Sequence, residues 1–150
     1  MNPISILLFV LGTIFTFILL FKSKNRNNYL IIIPHLASVI ISLFFNNMIG
    51  YYLYGLTILL TIAYPFYNKG MSKQNKIWLW VFIVPFAIRF IFILFHFPYV
   101  YIVNVSMLIP IIVFIYMVIN YKKFTSELSI LTLFFVHAIT NSSIFNQSLV

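Results

Sequence analysis

Long apolar runs separated by short polar stretches dominate the pattern along the chain. A helix needs about 20 apolar residues, with a range of about 17 to 25, to cross the hydrocarbon of a bilayer. The segments that meet this requirement are Pro3 to Phe21, Tyr29 to Phe45, Tyr51 to Tyr67, Ile77 to Phe97, Tyr99 to Tyr121, and Glu127 to about Gln147. The pattern therefore predicts an all-α membrane protein, a six-transmembrane-helix bundle in a single domain over residues 1–150. The second and third segments are the shortest, and a pair of re-entrant segments is the structural alternative there.

The polar connections alternate in charge. The basic ones carry, in order, Lys22, Lys24 and Arg26; then Lys69, Lys73 and Lys76; then Lys122 and Lys123. The second connection, Asn46 to Gly50, and the fourth, around His96 to Tyr99, carry no Lys, Arg, Asp or Glu. Short loops rich in Lys and Arg stay in the cytoplasm. The chain is thus predicted to form three hairpins, each closed by a basic cytoplasmic turn, with both termini outside the cytoplasm.

Composition supports the membrane interpretation. Apolar side chains make up 63% of the 150 residues and charged ones 7%, and the mean hydropathy of +1.10 lies far outside the soluble range. The net charge of +8 comes from clusters beside apolar runs, which fits anionic lipids at the basic cytoplasmic loops and excludes a nucleic-acid surface. The first apolar run precedes its positive charges and reads as a retained helix. Abundant Ile, Phe, Asn, Lys and Tyr are typical of an AT-rich genome and favour a bacterial inner membrane.

The one acidic residue, Glu127, has a structural interpretation. Thr125 or Ser126 is positioned to cap the sixth predicted helix. Glu127 would then lie in the first turn, where a carboxylate favours the positive end of the helix dipole. This placement explains Glu127 without catalysis.

Uncharged polar residues recur at helical spacing within the predicted spans. The stripes are His35, Ser38, Ser42 and Asn46; Tyr54, Thr57, Thr61 and Tyr64; Pro85, Arg89 and His96; and Ser129, His137, Thr140 and Ser143. Such stripes should face the bundle interior, because lipid tails offer no hydrogen-bond partner. We favour helix packing for the Ser and Thr positions, since small hydroxyl residues are common at helix contacts, with a transport pathway as the alternative.

Arg89 is the first candidate ligand-binding residue. It lies about 18 Å into the predicted fourth span at 1.5 Å per residue, near the centre of a ~30 Å core. A charge there costs at least about 2.5–3.5 kcal/mol on insertion scales. Glu127 is too shallow to pair with it, and no other partner is expected within these helices. Two interpretations stay open: Arg89 bonds to carbonyls freed by Pro85, or it receives a lipid phosphate, an anionic substrate or a carboxylate of a partner protein.

The three histidines, His35, His96 and His137, are the remaining candidate ligand-binding residues. Counted from the basic side, His35 is expected about 9 Å deep, His137 about 15 Å deep and His96 near the far end. Different depths, no cysteine and no carboxylate beside them argue against a metal or haem site, so no cofactor is predicted. His137 near the depth of Arg89 keeps a proton-coupled role open, whereas His96 before Phe97 and Pro98 is most simply a turn residue.

These observations leave three functional hypotheses. The first is a non-enzymatic accessory or binding subunit that packs against a membrane-protein partner or lipid, with Arg89 as a docking charge. The second is a transporter or flippase-like carrier of a small or lipidic anion, which requires an interior cavity that reaches Arg89. The third is an intramembrane lipid-modifying enzyme, disfavoured because carboxylates and clustered ligands are missing.

Overall fold

A computed structural model describes residues 3–23, 25–44, 47–98 and 100–144, with side chains for 7–23, 25–42, 48–98 and 103–138. Within these ranges the chain is all-helical. The helices are α1 (Pro3–Ser23), a single 3₁₀ turn (Arg26–Asn28), α2 (Tyr29–Phe44), α3 (Asn47–Tyr67), α4 (Lys73–Leu94), α5 (Val100–Ser106), α6 (Leu108–Ile119) and α7 (Tyr121–Ile144). The predicted positions Lys24, Asn46, Tyr99 and Gln147 lie outside the described residues.

Two of the helices are long and apolar enough to cross a membrane by length and composition. They are Met48–Tyr67 and Lys73–Leu94. Shorter apolar helices cover Leu7–Ser23 and Val103–Ile119. In an apolar stretch of 18 residues within each helix, 39% of the first and 28% of the second is buried inside the protein, which is low for core helices of a soluble protein.

The last helix, α7, is the centre of the bundle. It contacts α1, α2, α4 and α6 as well as the 3₁₀ turn. Its residues from Leu128 to Phe134 are nearly all inaccessible, and Ile130, Leu131 and Phe134 are fully buried. Side chains that line every side of a helix are buried only when neighbours surround it, so α7 organises the core.

The predicted first hairpin is not a packed pair of helices. α1 packs chiefly against α7, whereas α2 packs chiefly against α3. The α1–α7 contact is close because Gly12 has no side chain: a Cβ there would lie 2.4 Å from Val136 Cγ2. Glycine permits this approach of two helices, and the close fit explains why α1 lies beside α7 rather than beside its neighbour in sequence.

The predicted fifth span, Tyr99 to Tyr121, is broken in two. α5 ends at Ser106 and α6 begins at Leu108, with a tightened turn in which Met107 N donates to Asn104 O at 3.2 Å. Pro110 contributes to this break, since proline lacks an N–H and its ring crowds the carbonyl four residues earlier, that of Ser106.

The predicted sixth span lies within α7, and the predicted cap is wrong. α7 starts at Tyr121 and kinks at Phe124, where φ is −116° and ψ is 19°. Thr125 Oγ1 donates to the Tyr121 carbonyl at 2.8 Å, so it does not cap a helix start. Ser126 Oγ accepts from Asn25 Nδ2 at 3.0 Å. Both residues follow the kink directly, and their hydroxyls bond to groups other than the backbone of the next turn.

Candidate functional site

A pair of buried histidines lies at the centre of the bundle. His35 of α2 is fully buried and His137 of α7 is 5% exposed. His137 Nδ1 lies 3.0 Å from His35 Nε2, and the Tyr54 ring packs against both imidazoles. The expectation that these histidines lie at different depths is therefore wrong.

Their common level follows from how α2 and α7 are aligned. Asn28, just before α2, donates from Nδ2 to Ser129 Oγ at 2.7 Å and to the Ser126 carbonyl at 2.8 Å. His35 follows Asn28, and His137 follows Ser129, by about two helical turns each. The sequence estimate counted from Tyr29 and Glu127, which do not lie at the same level.

The histidine pair belongs to a directed chain of hydrogen bonds. Thr57 Oγ1 donates to the Tyr54 carbonyl at 2.7 Å, which leaves its oxygen to accept from His35 Nδ1 at 3.3 Å. His35 then carries its proton on Nδ1, and its Nε2 accepts from His137 Nδ1. His35 is neutral in this arrangement, because its Nε2 accepts a hydrogen bond and carries no proton. The chain pairs buried polar groups that would otherwise cost about 1–3 kcal/mol each.

The polar stripes on α2 and α3 face inward and mostly bond back to their own helices. Ser38 Oγ donates to the His35 carbonyl at 2.7 Å, and Thr61 Oγ1 donates to the Thr57 carbonyl at 2.7 Å. Ser38, Thr57 and Thr61 are all fully buried. These hydroxyls therefore let helices pack closely while satisfying their own hydrogen bonds. The side chains of Thr140 and Ser143 lie outside the described residues.

Arg89 has a partner within the bundle, which the sequence analysis did not expect. Its Nε donates to Asn104 Oδ1 of α5 at 3.1 Å, and the side chain is half-buried. The hydrogen bond that holds it is thus to a side-chain amide, not to a carbonyl freed by Pro85. A charged donor on a neutral oxygen is a strong hydrogen bond, worth about 1.5–3 kcal/mol.

The cavity that reaches Arg89 is small. It has a volume of about 20 Å³ and is lined by Tyr51, Tyr54, Phe86, Arg89, Phe90, Ile93 and Ala138. A space of this size holds about one water molecule. The Arg89 charge lies near enough to His137 and Tyr54 to act on both electrostatically.

His96 stands apart from the other candidates. It follows the end of α4 in a turn, where its backbone N–H donates to the Ile93 carbonyl at 3.2 Å. It is exposed, and its φ of 50° is in the left-handed region. The turn interpretation of His96 is confirmed. Among the four predicted binding residues, the structure brings His35, His137 and Arg89 towards one region and leaves His96 at an edge.

A much larger cleft, of about 790 Å³, lies where the basic connections meet. We call it the basic cleft. Its lining residues come from the ends of α1, α3, α4 and α7 and are Lys22, Ser23, Asn25, Asn68, Gly70, Met71, Ser72, Asn75, Lys122, Lys123, Thr125, Ser126 and Glu127. Residues of three connections thus surround one space, which carries three lysines.

Tyr64 ties the inner wall of the basic cleft together. Its hydroxyl donates to Asn28 Oδ1 and accepts from Asn25 Nδ2 at 2.8 Å and Asn68 Nδ2 at 2.7 Å. Asn25 also donates to Ser126 Oγ at 3.0 Å. Side chains from α3, α7 and two connections therefore share one network, which fixes the cleft wall before any ligand arrives.

Glu127 and Asn75 form a second buried part of the cleft. Ser72 caps α4 by accepting from the Asn75 backbone N–H at 3.1 Å, which sets Asn75 in the first turn. Asn75 Nδ2 donates to Glu127 Oε1 at 2.9 Å and to the Lys123 carbonyl at 3.3 Å. Glu127 is only 4% exposed. It is thus a buried member of the cleft, three residues after the kink at Phe124.

The asparagines of this cleft were missed by reasoning from sequence. Asn25, Asn28, Asn68 and Asn75 lie in or beside basic connections, where they read as ordinary loop residues. One sequence feature could have indicated them: short connections that combine several amides with serines supply many hydrogen-bond donors close to the helix ends. Only the fold shows that they converge with Tyr64.

Neither region contains an evident metal site. Over the described part of the chain no group of three or more His, Cys, Asp or Glu side chains could hold an ion. His35 and His137 supply two nitrogens, and zinc sites ordinarily need three or four protein ligands.

The chemistry of these regions has to be inferred from their own geometry. Comparison with protein-family models, with curated protein sequences and with solved structures finds no match to this chain.

Proposed function

We propose that this chain is an integral membrane protein whose six segments span a bilayer. The support comes from its exterior. Large apolar side chains are exposed on α1, α2, α3, α4 and α6; on α1 they are Leu7, Leu8, Val10, Leu11, Ile14, Phe15, Ile18 and Phe21, and on α6 they are Leu108, Ile109, Ile111, Ile112, Ile115, Val118 and Ile119. Soluble monomers rarely expose continuous apolar surface on this scale. Lipid is the occupant that covers all of it.

Helix lengths fit this proposal. α1 and α3 have 21 residues each and α4 has 22, which gives about 32 Å at 1.5 Å per residue, near the thickness of the hydrocarbon core. α2 is shorter at 16 residues. α5 and α6 together supply the fifth crossing, with hydrogen bonds from Met107 N to Asn104 O and from Ser106 Oγ to Val103 O at the break between them.

Within the membrane, we infer a non-enzymatic accessory or binding role in which the basic cleft holds a phosphate-bearing lipid head group. The single observation that carries this is the cleft itself, large enough for a ligand and lined by Lys22, Lys122 and Lys123. Ligand pockets are typically about 300–1,000 Å³. Clusters of lysine at the cytoplasmic ends of membrane helices attract anionic lipids.

The other two hypotheses have less support. A carrier route through Arg89 needs a cavity at that residue, and the cavity that the described residues line there, about 20 Å³, has room for about one water. Arg89 is also held by Asn104, which lowers its availability as a docking charge. An enzyme would need an activated nucleophile or metal, and the histidine pair is engaged with Thr57 and not with such a group.

A lipid titration tests the binding role. The purified protein in mild detergent is titrated with phosphatidylglycerol and, separately, with diacylglycerol, and bound lipid is counted by native mass spectrometry. We expect phosphatidylglycerol to bind and diacylglycerol, which has no phosphate, not to bind.

Matched charge variants locate the site. The triple variant Lys22→Gln, Lys122→Gln, Lys123→Gln removes the cleft lysines. The control Lys69→Gln, Lys73→Gln, Lys76→Gln removes the same charge from one neighbouring connection, whose lysines do not line the cleft. We expect the cleft variant to bind phosphatidylglycerol about tenfold more weakly, a loss of about 1.4 kcal/mol in binding free energy. The control variant should bind it nearly as tightly as the unmodified protein. Equal losses would mean general charge attraction and would reject the cleft as the site.

A further inference from the structure

The basic cleft contains a buried carboxylate whose hydrogen-bond partner is neutral. Glu127 is the chain's only acidic residue, it is 4% exposed, and its Oε1 accepts from the amide of Asn75 at 2.9 Å. A buried charge is costly unless it is paired with an opposite charge. The cleft therefore offers a place for a cation beside Glu127.

Asn75 adds an acceptor that lacks a donor. Its Nδ2 faces two acceptors, Glu127 Oε1 and the Lys123 carbonyl, so the amide cannot be turned around without setting oxygen against oxygen. Asn75 is 8% exposed. Its Oδ1 is buried and has no hydrogen-bond partner among the residues that the structure describes. Buried polar atoms without partners are rare and point to a missing donor.

The nearby lysines are directed to other groups. Lys123 Nζ donates to Gln74 Oε1 at 2.6 Å, and Lys22 Nζ lies over the Tyr121 ring, 4.9 Å from its centroid. Two of the three cleft lysines therefore have partners away from Glu127. These flexible side chains can turn to a phosphate at the mouth of the cleft, whereas the buried acceptors need a donor that enters with the ligand.

We propose that the basic cleft selects a phosphoethanolamine group, with its primary ammonium at Glu127 and Asn75 Oδ1 and its phosphate at the lysines. This inference rests on the proposed function and names the ligand class of that site. A primary ammonium supplies both the positive charge that Glu127 lacks and a donor for Asn75 Oδ1. A choline group carries the same charge but has no N–H, so it satisfies only the first requirement.

The test compares head groups on the unmodified protein. Native mass spectrometry measures the binding of phosphatidylethanolamine and phosphatidylcholine with identical acyl chains. We expect phosphatidylethanolamine to bind about tenfold more tightly, as for the gain of a charge-assisted hydrogen bond in a buried site. Equal binding of the two lipids would overturn the ammonium inference while leaving phosphate binding intact. If the chain binds phosphatidylglycerol no better than diacylglycerol, the proposed function itself fails.

A variant tests the placement. Glu127→Gln keeps the shape of the side chain and removes its charge. We expect it to abolish the preference for phosphatidylethanolamine over phosphatidylcholine. A retained preference in a folded Glu127→Gln protein would overturn the inference. Free phosphoethanolamine added as competitor distinguishes the source of the group: displacement of lipid supports a soluble ligand of the same chemistry, and no displacement supports the lipid.

Discussion

Three histidines show how far one residue type can differ in context. His35 and His137 share a hydrogen bond in the core, whereas His96 is an exposed turn residue. The sequence identified the helix and face of the first two, because their neighbours repeat at helical spacing. It could not show that they meet, since their separation along the bundle depends on how Asn28 aligns α2 with α7.

The hydrogen-bond chain predicts unequal costs for replacing these histidines. His137→Phe keeps an aromatic ring in the same packing but removes the donor to His35 Nε2, which is then left buried and unsatisfied. We expect a loss of about 1–3 kcal/mol in the free energy of unfolding, measured by thermal or denaturant unfolding in detergent. His96→Asn is the control, because asparagine tolerates the left-handed conformation, and it should cost little. Equal stability of both variants would contradict the proposed chain.

At the scale of the helices, the sequence predicted the positions of the apolar segments better than the residues at which the helices begin and end. α2 begins at Tyr29 as predicted, because the polar and charged stretch before it stops there and an apolar run begins. α3 starts before its predicted beginning at Tyr51, because polar residues such as Asn47 can extend a helix. The break before Pro110 was not predicted, and proline alone could not have decided it: Pro34, Pro65 and Pro85 all lie inside continuous helices.

The contact between α1 and α7 leads to a prediction about one glycine. In Gly12→Ala the new Cβ would lie 2.4 Å from Val136 Cγ2 and 3.1 Å from both Val136 Cβ and Cγ1, so rotating the valine brings no relief. The overlap should outweigh the helix propensity that alanine adds, which is about 1 kcal/mol at most. We expect a net loss of about 1–3 kcal/mol in unfolding free energy.

The matched control for this variant is Gly70→Ala. A Cβ at Gly70 meets only Asn68 Oδ1, at 3.8 Å, so it should leave stability nearly unchanged. If Gly12→Ala proves as stable as the unmodified protein, α1 does not lie as close to α7 as described.

For the whole molecule, charge is concentrated where three connections meet. The alternation of basic and uncharged connections predicted that these connections share one side, and residues of all three now line the basic cleft. Which helices touch could not be predicted in this way, because the distribution of charge specifies a side of the membrane and not a neighbour within it. The pairing of α1 with α7 depends instead on local shape at Gly12.

The proposed orientation predicts the behaviour of reporter fusions. Alkaline phosphatase is active only outside the cytoplasm, so a fusion after Val150 should be active and a fusion in the connection around Lys73 should be inactive. Activity measured in intact bacterial cells, with expression controlled by immunoblot, provides the test. The opposite pattern would reverse the orientation and move the basic cleft to the outer side.

The central place of α7 sets the order in which the protein can be completed. Synthesis proceeds from the N-terminus, so α1 emerges first while its main neighbour, α7, emerges last. Until then His35 lacks its contact with His137, Asn28 lacks its contacts with α7, and the face of α1 around Gly12 lacks its main neighbour. Under the proposed membrane location, lipid or the insertion machinery would cover these groups until α7 is added. When α7 is added, it completes the core, the hydrogen-bond chain through His35 and His137, and the lining of the basic cleft in one step.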